Sequence, residues 1–416
     1  MTDAIRSTRE FIEPLVLDQD DPAACTKLTE TLRTYGLALV RTPRFDPEVR
    51  QRFLDQMLDY IVSSLAIRDG QLHIDIPEAD LRPTLGFQYG PTPIGEETAL
   101  CAQEENHDRC RSFVDRLEPR FLPATVPGSS YPDRKGRFME HLVTWRGAGA
   151  PADHEKVGSL QADPATTVTA DPKNVVPSYL ASQAREQWKH VMNRFGMMML
   201  DPLFEISRML ARGLGLDSDY FTRLMHNGHH KVAPTFASFY RDRQPHTIQA
   251  ALHEDIDVFA IHAQGTHSGL FVYSETGERL RVSVPEGCLL VQAGRQLYLR
   301  MRSMERAGEI AVPPIQPGWH EVLVTEDAIA KVQDEISTID EIMERTDLSE
   351  TEKLEAIGPP YRSCIRISCT FFFHFGDETE LVYGLPEGTL EEETFPEGTR
   401  IQRYIGLELG FIKLQK

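Results

Sequence analysis

His253, Asp255 and His320 are the residues whose types and spacing best suit metal chemistry. In an extended segment alternate side chains share a face. His253 and Asp255 of His253-Glu254-Asp255 therefore project together, while Glu254 points away. Two neutral imidazoles and one carboxylate make the two-histidine, one-carboxylate facial triad, which holds Fe(II) and leaves positions open for other ligands. A lone His-x-Asp pair arises often by chance. The case strengthens with His320, 65 residues beyond Asp255 in the alternating stretch Gly318-Trp319-His320-Glu321-Val322. His262, His267 and His374 compete for the third place. A strand leaving Asp255 moves off at roughly 3.3 Å per residue, which disfavours His262 and His267. His374, inside Phe371-Phe372-Phe373-His374-Phe375, reads as a core or pocket-edge imidazole. His320 suits a strand returning across a barrel; the alternative for the whole set is three polar groups in loops.

The elements that must position these residues have to come from a chain of 416 residues that is 41% hydrophobic, enough for a substantial core. Its net charge of −19 disfavours a nucleic-acid groove or a polybasic membrane surface. Cys25, Cys101, Cys110, Cys288, Cys364 and Cys369 show no Cys-x-x-Cys pair, so reduced thiols in a cytoplasmic setting are expected. No N-terminal apolar run resembles a signal peptide, and no stretch is long enough to span a membrane.

Asp21-Pro22 predicts a helix start, with Leu28, Leu32 and Tyr35 at helical spacing, and Gly36 stops it before a strand over residues 37–40. A second helix is expected from Pro47 to about Leu65. Residues 137–146 read as a strand, and 147–178 as a polar surface connection or lid. A long helix carries Trp188, Met192, Phe195 and Met199, and Asp201-Pro202 predicts a kink or a second helix. Met197, Met198 and Met199 read as packing residues. From about residue 232 short strands follow at 237–240, 258–263, 269–273, 279–284 and 288–293, a density that favours a jelly roll. Residues 326–357 are charged and helix-favouring, bounded by Gly358-Pro359-Pro360. They read as an insertion that covers the barrel with Ile336, Ile339, Ile342 and Met343.

Over about residues 10–375 the chain resembles the isopenicillin-N-synthase-like branch of the Fe(II)/2-oxoglutarate-dependent oxygenases. The residues carrying this are the helix and strand ending Tyr35-Gly36-Leu37-Ala38-Leu39-Val40, the element Leu214-Gly215-Leu216 with Tyr220-Phe221, His253-x-Asp255, His320, and Arg366-x-Ser368 before Phe371-Phe372. The resemblance implies an α+β fold, a double-stranded β-helix (jelly roll) with flanking helices and a helical N-terminal region. The chain pattern itself divides into residues 1–175 packing on the core, supporting helices 176–231, a jelly roll 232–376 carrying the insertion 326–357, and an acidic extension 377–416. His253, Asp255 and His320 would be the Fe(II) ligands and catalytic residues. Arg366 and Ser368 would hold the far carboxylate of the cosubstrate 2-oxoglutarate, a fork of donors and a hydroxyl on one strand face. Tyr240 would add a phenolic donor.

The implied activity is hydroxylation, desaturation or cyclisation of a small organic substrate with O2, releasing succinate and CO2. The alternatives are an Fe(II)/O2 oxidase without 2-oxoglutarate, an ethylene-forming type of fragmentation, and a noncatalytic jelly-roll binding protein. Three departures from the family pattern stand out: Ser238 in place of an asparagine, the 46-residue gap from His320 to Arg366, and Gln292-Ala293-Gly294 in place of Asn-x-Gly-Asp.

Overall fold

The computed structural model describes residues 7–83, 89–97, 101, 103, 106–119, 122–123, 136–146, 167–171 and 173–384. After a short strand, β1 (Leu15–Val16), α1 (Pro22–Tyr35) starts as Asp21-Pro22 dictates. The Asp21 carboxylate accepts from the Ala23 amide, and Pro22 fills the first turn. Gly36 ends the helix at φ 66°, a conformation only glycine takes cheaply, and the chain enters β2 (Leu37–Arg41). α2 (Pro47–Ser63) repeats the device with Asp46 and Pro47. Its Phe53 stacks on Phe195, ring centroids 3.7 Å apart. The hairpin β3 (Leu65–Arg68) and β4 (Gln71–Ile74) follows, then β5 (Gly90–Thr92), α3 (His107–Val114), β6 (Gly136–Arg146) and β7 (Thr167–Ala170). The sequence-predicted connection 147–178 lies largely outside the described residues, as do residues 385–416 of the C-terminal extension.

α4 (Ser182–Gly213) runs through Pro202 as one helix, which corrects the second helix start that was one of the two outcomes expected at Asp201-Pro202. Proline inside a helix costs about 3 kcal/mol. Trp188, Met192, Phe195, Met199, Leu203, Ile206 and Leu210 are all buried along this helix, and each large apolar side chain contributes roughly 1.5–3 kcal/mol. Burial therefore outweighs the lost hydrogen bond.

After α5 (Tyr220–Leu224) come β8 (His229–Val232), β9 (Thr235–Ser238), β10 (Ile248–His253), β11 (Phe259–Ala263), β12 (Leu270–Tyr273), β13 (Arg279–Arg281) and β14 (Cys288–Ala293). The chain then adds α6 (Arg295–Arg306), β15 (His320–Leu323), α7 (Glu326–Lys331), α8 (Gln333–Glu344), α9 (Glu350–Ser363), β16 (Ile365–Ile367) and β17 (Cys369–Phe373). The larger sheet runs β1-β2-β14-β11-β17-β8-β6-β9-β16, with β5 and β7 also paired to β6; the smaller runs β10-β15-β12-β13. The larger sheet thus draws on strands from both sides of residue 232. β14 is buried along its whole length, as expected of a strand covered on both faces. It ends at Gly294, where a Cβ would fall 2.1 Å from the Asp257 carboxylate.

The insertion is helical and buries Ile336, Ile339 and Ile357. Its boundary differs from the expected one, because α9 continues through Gly358-Pro359-Pro360 to Ser363. Arg362 there pairs with Asp55 and Asp59 of α2, which ties the insertion to the N-terminal half. The expectation of six reduced thiols is also corrected: Cys101 and Cys110 are joined in a disulfide, while Cys25, Cys288, Cys364 and Cys369 are free and buried. A nine-residue separation is no recognisable spacing; the pair forms because the fold carries Cys101 onto α3. Among the described residues no helix is long and apolar enough to cross a membrane.

Candidate metal centre

β10 and β15 are antiparallel neighbours, and their register sets His253 directly opposite His320. Two irregularities in β10, between Ile248 and Ala250 and between Ala250 and His253, re-aim its end. The imidazole centroids are 4.1 Å apart. Asp255 lies two residues past the strand, its Oδ1 3.9 Å from His253 Nε2 and its Oδ2 3.8 Å from His320 Nε2. One ligand atom from each residue falls within 4.8 Å of the others, the only such group among the described residues. His262, His267 and His374 stand outside it.

Both histidines are held in the tautomer that a metal needs. Nδ1 of His253 lies 2.7 Å from the Ala251 carbonyl, and Nδ1 of His320 lies 2.9 Å from the Gly318 carbonyl. A carbonyl can only accept, so each Nδ1 carries the proton and each Nε2 turns a lone pair toward Asp255. Two nitrogen lone pairs and a carboxylate converging on one point fit a first-row divalent ion such as Fe(II).

The residue after each histidine is a buried glutamate that secures its strand. Glu254 points away from the triad, as alternation requires, and pairs with Arg295 at 2.7 Å and Arg109 of α3 at 3.0 Å. Glu321 pairs with Arg279 at 2.7 Å and accepts from the Tyr273 hydroxyl at 2.8 Å. α3 also reaches the residue before each histidine. Phe113 stacks on Trp319 with centroids 4.5 Å apart, and Cys101 Sγ lies 3.2 Å from the Leu252 carbonyl oxygen. Spacing alone does not single out these glutamates; the one legible signal is that Glu254 faces opposite to its neighbours.

Arg366, on β16, is buried, and no carboxylate among the described residues pairs with it. Burial alone pulls its pKa down to about 10, so it stays a cation at neutral pH. Gly269, at φ 138°, makes room: a Cβ there would meet the Leu323 carbonyl oxygen at 2.5 Å and Arg366 Nε at 3.4 Å. Arg366 and Ser368 line one cavity of about 600 Å³ together with His262, His267 and Lys331 of α7. Burial pushes His262 down to about 3, helped by His320 and Arg366. Burial, then Arg366 and Lys331, takes His267 to about 4.

Ser368 is in this cavity, but its hydroxyl is engaged by Thr235 and Thr370. Tyr240 is not brought there. It follows β9 in a turn, donates its hydroxyl to Asp340 of α8 at 3.0 Å, and lies beneath Arg243. It lines a separate cavity of about 600 Å³ with Arg241 and Ser238, whose hydroxyl bonds Tyr361. His374 is the core imidazole expected, its Nδ1 3.0 Å from Gln296 Nε2.

No family model matches the chain, and no curated protein matches it. Solved structures do. A full-length Neurospora crassa protein in complex with alpha-KG is 15% identical at a TM-score of 0.53, covering 94% of this chain and 91% of that one. The same protein with alpha-KG and 5-formyluracil gives 15% and 0.53 over 96% of each chain. A Caulobacter crescentus protein, described as of the 2OG-Fe(II) oxygenase family, is 16% identical with a TM-score of 0.57 over 97% and 99%. At such identities the likeness is one of architecture, and this chain has the double-stranded β-helix fold of the 2-oxoglutarate/Fe(II) oxygenases.

Proposed function

We propose that this protein is a non-haem Fe(II)- and 2-oxoglutarate-dependent dioxygenase that oxidises a small organic substrate with O2 and releases succinate and CO2. The observation that carries the proposal is the convergence of His253 Nε2, His320 Nε2 and the Asp255 carboxylate, in a fold that also buries the cation Arg366 with no carboxylate partner among the described residues. The Neurospora crassa structures, which hold alpha-KG on the same fold, support the cosubstrate assignment.

In this reading His253, Asp255 and His320 hold the metal, which when bound supplies oxygen activation. The carbonyls of Ala251 and Gly318 fix both imidazole rings, so the ligand set is preorganised. Arg366 anchors the far carboxylate of 2-oxoglutarate, and its burial strengthens that charge-assisted contact. Ser368 acts on the pocket through Thr370, and Tyr240 is left out of the set because Asp340 holds it elsewhere. The cytoplasmic setting and the division at residues 175, 231 and 376 are part of the same proposal. Non-reducing peptide mapping of protein taken from cells tests the setting, since a persistent Cys101–Cys110 bond argues for an oxidising compartment.

The deciding experiment is an anaerobic Fe(II) titration followed by 2-oxoglutarate, read by the visible absorption of the ternary complex, with succinate measured on admitting O2. His253→Ala and Asp255→Ala are expected to abolish tight iron binding while leaving the circular dichroism intact. Iron binding without any response to 2-oxoglutarate would move the assignment to an oxidase that draws all electrons from its substrate.

A further inference from the structure

We infer that His262 is a specificity-determining residue of the cosubstrate pocket, presenting Nε2–H as a hydrogen-bond donor to a 2-oxoacid whose carboxylate rests on Arg366. The inference builds on the reading of that cavity as the 2-oxoglutarate site. Its basis is a line of polar groups across three strands. The β11–β17 register sets His262 opposite Thr370, and His262 Nδ1 lies 3.1 Å from Thr370 Oγ1. Thr370 Oγ1 is 3.0 Å from Ser368 Oγ, and Ser368 Oγ accepts from the Thr235 amide at 3.0 Å.

The Thr235 amide can only donate, and the Thr235 hydroxyl, 2.8 Å from Ser368 Oγ, can donate to it as well; in that arrangement the Ser368 proton is free to turn toward Thr370. Ser368, having accepted, can pass its proton to Thr370, and Thr370 can pass its own to His262 Nδ1. The imidazole proton then sits on Nε2, which is buried and has no hydrogen-bond partner among the described residues. A side-chain hydrogen bond with Gln292 opposes the fall in the His262 pKa, which makes Gln292 the internal competitor for Nε2–H, yet among the described residues neither Gln292 amide atom reaches hydrogen-bond geometry. Buried polar atoms are rarely left so unless a ligand or water completes them. An anionic ligand resting on Arg366 in this cavity selects the donor tautomer, and the imidazole stays uncharged in its dry surroundings. Discrimination then comes from direction: an acceptor must lie on the line from Nε2 as well as at Arg366. A ligand lacking that second acceptor strands the donor and binds more weakly.

The test uses full-length protein loaded with Fe(II) under argon and titrated with 2-oxoglutarate. His262→Leu is expected to keep iron affinity, shift the visible absorption band, and weaken 2-oxoglutarate binding tenfold or more, on the order of one charge-assisted hydrogen bond. His262→Gln, which keeps a donor, is expected to recover most of that loss. Thr370→Val, nearly isosteric, leaves His262 in place but removes the proton that sets its tautomer, with an expected loss of ~threefold. Unchanged band and affinity in both His262→Leu and Thr370→Val overturn the inference while leaving the cosubstrate site intact. A wild-type protein that binds Fe(II) but gives no saturable response to 2-oxoglutarate overturns the cosubstrate site and the inference together.

Discussion

Glu254 and Glu321 beside the triad, and Arg366 in the neighbouring cavity, are all buried charges, yet among the described residues only the glutamates are paired. Beside the metal ligands Glu254 and Glu321 each meet an arginine at 2.7 Å. In the cavity of Arg366 lie imidazoles that burial keeps neutral, hydroxyls that bond one another, Lys331, and the Asp327 carboxylate, which is taken up by Arg281. Charge that holds strands together is neutralised within the fold. Charge kept for a ligand is left uncompensated and costs stability until the ligand arrives.

The sharpest way to break this contrast is Glu254→Ala. It leaves Arg295, only 2% exposed, without its carboxylate, and a loss of roughly 3–5 kcal/mol in urea unfolding is expected. A loss below about 1 kcal/mol would show that the pair contributes nothing to the scaffold.

A second test concerns the buried imidazoles behind the sheet. Burial, then Lys231 and His229, lowers His374 to about 3; burial, then His374 and His229, holds His230 well below its ordinary value. The unfolded chain binds protons near pH 6.5 and the folded one does not, so stability is full above that pH and falls as pH drops toward 3. Each group accounts for up to about 1.4 kcal/mol per pH unit. His374→Phe should therefore flatten the decline between pH 6.5 and 4, read from unfolding midpoints across that range. An unaltered slope would place the acid sensitivity elsewhere.

Arg366→Met is expected to move stability least. Without ligand it should leave the unfolding free energy level or raise it by roughly 1–3 kcal/mol, while 2-oxoglutarate binding is lost. Destabilisation in calorimetry of the ligand-free protein would mean that Arg366 has a structural partner after all.

What was legible in the sequence was what neighbouring residues decide. Asp21-Pro22 and Gly36 bound α1 because capping is local, and His253 and Asp255 share a face because strand alternation is local. His320 was legible through the alternation of its own strand. Contacts across the chain were hidden. Pro202 reads as a kink or a new helix start until the apolar face of α4 is seen buried as one continuous helix. Tyr240 reads as a pocket residue until the fold brings Asp340, a hundred positions later, to its hydroxyl. The disulfide, the partners of Glu254 and the line from Ser368 to His262 belong to the same class, set by strand order that no spacing encodes.

β2 has a consequence for how the protein is made. Its first four residues are buried, and its neighbour on one side is β14, whose register pairs Leu37 with Gln292 and Arg41 with Cys288. On the ribosome β14 follows β2 by some 250 residues. At about 5–20 residues per second, an apolar strand with an open edge waits on the order of 12–50 s for its partner. Open edges invite pairing with other chains. The nascent N-terminal half is thus the aggregation-prone stage of synthesis, and holding that strand until residue 293 has emerged is work for a chaperone.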